Sequence, residues 1–133
     1  MLFRSKLDEA RPLYDEALAG KRETLGDKHP STLASIGNLG LLLKDEGKLD
    51  EARPLVEEAL AGSRETLGDK HLNTLTSILK LGALLYKLHE LDEAESAFVE
   101  VVDAYREVLG EDHPSTRNAE SNLDFVRNKK AQA

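Results

Sequence analysis

The feature that most constrains this chain is a stretch that occurs almost twice over. Leu49–Glu90 (LDEARPLVEEALAGSRETLGDKHLNTLTSILKLGALLYKLHE) superposes on Leu7–Lys48 at a shift of 42 residues, with about 28 positions identical. A fainter copy runs from Leu91 to the C-terminus. Self-similarity at this period, helical in both halves of the unit, implies an α-solenoid, in which each unit buries its apolar face on its neighbours.

Two helices fill each unit, here termed B and A in order of appearance. Helix B is expected to begin near Asp8, Asp50 and Asp92, where a carboxylate caps free amides and suits the positive end of the dipole. Glu95 follows Asp92 by three, the pattern of a capping box. Apolar residues recur at helical spacing in Leu49, Ala52, Leu55, Val56, Ala59 and Leu60. Pro12 and Pro54 lie near the helix start, where a missing amide costs least. Glycines after Leu25, Leu67 and Leu109 supply the left-handed backbone that closes helix B. Pro30 and Pro114 occupy the position at which proline opens a helix best. Helix A continues through Leu33, Ile36, Leu39, Gly40, Leu42 and Leu43 to a stop at Gly47, replaced in the second unit by His89. A histidine at positive φ is uncommon, so this turn is expected to be rebuilt or slightly strained.

The expected fold is therefore all-α, with six helices over about 7–25, 30–46, 49–67, 72–88, 91–109 and 114–129 in a single domain. Two complete pairs are flanked by an unpaired helix at each end. In the last helix the positions of Ile36, Gly40 and Leu43 become Glu120, Asp124 and Arg127, while Ala119, Leu123 and Val126 stay apolar. A polar outer face on a terminal helix lets an array stop in water, so this end is expected to be a true terminus. The first helix shows no such change. Leu7, Ala10, Leu13, Tyr14, Ala17 and Leu18 are as apolar as their copies, and Leu2 and Phe3 add to them. This face is expected either to have lost an upstream helix or to dock on another subunit, as contiguous exposed apolar surface marks contact sites.

Composition excludes several classes. The net charge of −7 argues against a nucleic-acid partner, which needs a basic face. Without cysteine there is no disulfide, thiolate nucleophile or zinc–thiolate site. No apolar run reaches the roughly 18–20 residues of a membrane span, and the opening residues lack a signal-peptide core. An intracellular, cytoplasmic setting is expected, with an organelle after transit-peptide removal as the alternative. His29, His71 and His113 recur once per unit. Helix packing would space them about 10 Å apart, too far to converge on a metal, so they are expected to cap or pack the loop. Ser31-Thr32 beside His29 and Ser115-Thr116 beside His113 read as repetition rather than a nucleophile with its base. No catalytic residue, cofactor or metal site is expected.

Asn38-Leu39-Gly40, followed by Gly47, Leu49, Ala52, Val56 and Ala59, resembles the small-and-large pattern of the tetratricopeptide repeat. The period of 42 and a helix B ending in Arg-Glu-Thr-Leu-Gly-Asp-Lys-His-Pro-Ser-Thr are similar to the kinesin-light-chain-like branch of that superfamily. The resemblance covers essentially the whole chain; nothing in it resembles the motor-binding coiled coil of a kinesin light chain. It implies a scaffold that binds a peptide or helix of a partner protein along a concave face built by the A helices. On a helical wheel Asn38, Leu41, Thr76, Lys80, Tyr86, Asn122 and Phe125 point to that face. Asn38, Lys80 and Asn122 share one register, and the resemblance implies that amide and basic groups there clamp a peptide backbone or an acidic terminus. The second expectation is a subunit of a larger assembly, docked or self-associated through Leu2, Phe3, Leu13 and Tyr14. The polar positions could equally be ordinary solvated surface.

Overall fold

A computed structural model describes the backbone of residues 2–132 and the side chains of residues 8–132. Among the described residues six helices follow one another: α1 (Leu2–Leu25), α2 (Pro30–Asp45), α3 (Leu49–Leu67), α4 (Leu72–Lys87), α5 (Leu91–Val108) and α6 (Pro114–Gln132). They divide into two compact units, Met1–Gly68 and Asp69–Ala133. In the first, α2 packs against both α1 and α3; in the second, α5 packs against both α4 and α6.

The helix starts obey two different rules. α2, α4 and α6 are opened by histidine: Nδ1 of His29, His71 and His113 accepts from the amides of Ser31, Asn73 and Ser115 at 3.1, 3.0 and 3.0 Å. One orphan amide of each first turn is thereby satisfied. α3 and α5 have no side-chain cap. Asp50 and Asp92 lie inside the first turn rather than at the cap, which falls on Lys48 and Glu90. The preceding turn dictates this, because the amides of Lys48 and Glu90 already donate to Leu43 and Leu85. That bond closes the previous helix and launches the next within two residues. Asp8 sits inside α1, which begins at Leu2, so Pro12 lies in the body of that helix. Glu95 forms no capping box; its carboxylate accepts from Arg127 and Lys130 of α6 instead.

His89 keeps the turn its glycine counterpart makes. It has φ 62°, against 82° for Gly47. Its amide bonds Tyr86 at 3.0 Å as that of Gly47 bonds Lys44 at 3.0 Å. The turn is not rebuilt, and the residue carries the cost of a left-handed conformation.

In the first unit the core is built on Ile36 and Leu43 of α2 against Ala52, Val56 and Ala59 of α3, all buried. In the second, Ile78, Leu84 and Leu85 of α4 and Ala119, Leu123 and Val126 of α6 close on Phe98, Val101 and Val102 of α5. Close approach depends on missing Cβ atoms. A Cβ on Gly40 would stand 2.8 Å from Cγ2 of Val56, and one on Gly82 would stand 2.9 Å from Cζ of Phe98. On α6, Glu120 and Arg127 reach back to Arg106 and Glu95 of α5 at 3.2 and 2.9 Å, leaving Asp124 exposed.

Three outcomes follow from these contacts. Gly82→Ala should cost about 1–3 kcal/mol through overpacking on Phe98. Gly20→Ala, with nothing within 4 Å of its new Cβ, should instead stabilise by about 0.5–1 kcal/mol. His71→Ala should cost about 1 kcal/mol by uncapping α4. Urea denaturation of the three variants checks the signs.

Candidate functional site

The second unit carries a hollow between α4 and α6, floored by α5. Its volume is about 230 Å³. Phe98 and Val126 form its base, Ala83, Tyr86 and Lys87 one wall, and Asn122 and Phe125 the other. Phe98 can lie under α4 because Gly82 leaves room above the ring. The repeat's helix-crossing rule therefore also shapes the hollow.

Its mouth is aromatic and cationic. The rings of Tyr86 and Phe125 meet at 5.2 Å between centroids with planes tilted by 58°, a favourable geometry for ring quadrupoles. Lys129 Nζ lies 5.6 Å from the Phe125 centroid, within cation–π range. Phe125 nonetheless remains half exposed, at 50%. An aromatic residue left open beside a hollow is suited to anchoring an incoming side chain.

Lys80 lies on the same face of α4, one turn before Ala83. It is half-buried, and burial alone holds its ammonium below the ordinary lysine value, with no neighbouring carboxylate to offset it. A cation desolvated without a counter-charge favours an anionic ligand. The arrangement can seat one bulky apolar side chain and pair a carboxylate beside it. It contains no nucleophile–base pair, and no group of three metal-ligating side chains stands together among the described residues.

The other expected residues fall as follows. Thr76 and Asn122 are exposed, with the Thr76 hydroxyl donating to the Leu72 carbonyl at 3.0 Å. Asn38 is exposed and Leu41 half-buried on α2 of the first unit. Thus the second unit brings Tyr86, Asn122 and Phe125 around one hollow, with Lys80 a turn away. Leu13 and Tyr14 on α1 are 68% and 41% exposed. The side chains of Leu2, Phe3 and Leu7 lie outside the described residues. Phe98 was not singled out from the sequence. Phe98 reads as core, and its role as floor follows only from the glycine above it.

Comparison with known proteins points one way. The family model for the tetratricopeptide repeat matches residues 2–65, 36–107 and 75–123. Among solved structures the chain is similar to a Podosopora anserina protein described as having kinesin light chain nearly identical TPR-like repeats. The TM-score is 0.89 at 27% identity, over 96% of this chain and 61% of that one. A single-substitution variant of that protein gives 0.88 and 27%, over 96% and 60%. BtubC (BKLC) from P. vanneervenii gives 0.82 at 22%, over 94% and 49%, a likeness of fold alone. The chain thus spans about three-fifths of the first two and half of the third. No curated protein matches it. The fold class is accordingly an all-α helical solenoid.

A lysine charged at a desolvated site lowers stability, and that penalty lifts as pH rises from its depressed folded-state value towards the ordinary 10.5. Lys80→Met should therefore raise the thermal midpoint at pH 7, with the gap to the unaltered chain narrowing towards pH 10. Paired melts at the two pH values measure it.

Proposed function

We propose a protein-binding role on one premise: the chain belongs to the tetratricopeptide repeat family, and its repeats are of the kinesin-light-chain type. Such repeats generally mediate protein–protein interaction rather than catalysis. The finer reading is a scaffold whose A helices hold a peptide or helix of a partner protein on their concave face. The observation that carries it is Lys80, an unpaired and half-buried ammonium one turn from the hollow of Tyr86, Phe98 and Phe125. The ligand it fits has one aromatic or large aliphatic side chain and a nearby carboxylate.

The test uses labelled 12-residue peptides carrying one aromatic and two aspartates, against the same peptides with lysine for aspartate. The acidic set should bind the unaltered chain, and Phe125→Ala and Lys80→Ala should each weaken it about tenfold, the size of a modest hot spot. Equal binding of both sets, or of neither, defeats the reading.

A second surface supports an assembly role. Tyr14 is 41% exposed, whereas its copies Val56 and Phe98 are 2% and 5% exposed beneath α2 and α4. An α1 face whose counterparts are covered supports a contact made there, by a preceding repeat or by another subunit.

A further inference from the structure

Lys80 stands apart from most other lysines in its bonding. Lys28, Lys48, Lys70 and Lys130 each meet a carboxylate, of Glu65, Glu46, Glu107 and Asp92, at 2.7, 3.0, 2.7 and 2.7 Å. Lys21 donates to the Ser35 hydroxyl at 2.8 Å, and Lys129 lies over the Phe125 ring. Lys80 has no such partner among the described residues, and α4 contains no acidic residue that could supply one. On α6 the carboxylate of Glu120 is already held by Arg106 at 3.2 Å.

Two lysines of the second unit are displaced in opposite directions as a result. The carboxylates of Asp92 and Glu95 hold Lys130 above the ordinary lysine value, whereas burial holds Lys80 below it. Only a neutral amine has the lone pair that attacks a carbonyl, and desolvation without a counter-charge raises the share of that form. Lys80 is half-buried rather than enclosed, so a small reagent can still reach it.

We propose that Lys80 is a site of acylation, with a small acyl thioester as the donor and the local environment selecting the residue. The Nζ lone pair attacks the thioester carbonyl carbon; a C–N bond forms and the C–S bond breaks. The thiolate leaves with the electron pair and takes up the proton that the nitrogen loses, so the products are an amide and a free thiol. The amide carries no charge. Acylation thus removes the charge that half-burial penalises and strengthens the fold. It also removes the cation offered to an acidic ligand, a consequence that rests on the proposed function, whereas the reactivity does not.

The test incubates the full chain with acetyl-coenzyme A at pH 8 and follows each lysine by peptide mass spectrometry. Lys80 should be acetylated at least about threefold faster than Lys70, Lys87 or Lys130, and the advantage should vanish in concentrated urea. A Lys80 rate no higher than that of exposed Lys87 overturns the proposal. An advantage that persists in urea overturns it too, because its cause would then lie in the local sequence rather than the fold. Lys80→Arg, which keeps the charge, should leave no lysine reacting at the fast rate; a fast lysine that survives the change defeats the assignment. The chain singly acetylated at Lys80 should melt at a higher temperature at pH 7, and no rise there would refute the relief of desolvation. It should also bind the acidic 12-residue peptides about tenfold more weakly. Fast acetylation with peptide affinity unchanged upholds the modification site and defeats the pairing of Lys80 with a ligand carboxylate, so the two readings fail separately.

Discussion

Everything in both units depends on how near two antiparallel helices can come. Gly40 lets α2 settle onto Val56, and Gly82 lets α4 settle onto Phe98. A helix pair at that separation buries its large residues on either side of the contact, which is why Ile36, Leu43, Ile78 and Leu85 are almost wholly covered. The same approach places Phe98 where it can serve both as core and as the floor of a hollow. Packing and site are one construction here, since the space left by an absent methyl group decides both.

Much of this was legible in the residues because the repeat reports each position more than once. The glycine stops at Gly26, Gly47, Gly68 and Gly110 all have positive φ, and the six helices with their two flanking unpaired ones follow from the period alone. The loop histidines, read as caps or packing, are caps. Helix starts were less legible. Asp50 resembles a cap, but the tight turn at Gly47 consumes the Lys48 amide and moves the boundary upstream. The wheel put Tyr86 and Phe125 on one face; their ring contact and the burial of Lys80 depend on how α4 and α6 lean over α5, which periodicity does not encode.

The ion pairs linking helices of the same type are exposed, so each contributes little to stability, about 0–1 kcal/mol. Their value lies in discrimination. Glu95 shows the distinction well: its carboxyl is held below the ordinary range first by Lys130 and then by Arg127, both from α6. The position that carries a cation in earlier copies has been turned inward to fasten the last helix. Charge here records which neighbour a helix is meant to have, while apolar contact supplies the adhesion.

Chains built from near-copies face a kinetic hazard, since a hairpin can close on the wrong equivalent and remain trapped. The signs at residues 95 and 112 are reversed relative to Arg11 and Lys28, which would oppose that error. Were α5–α6 to fold over α3 in place of α1–α2, Glu95 would confront Glu51, Asp112 would confront Glu65, and Asp124 would be driven onto Val56. A pairing of that kind would set like charges face to face and press a carboxylate onto apolar carbon, costs that the native order of hairpins avoids.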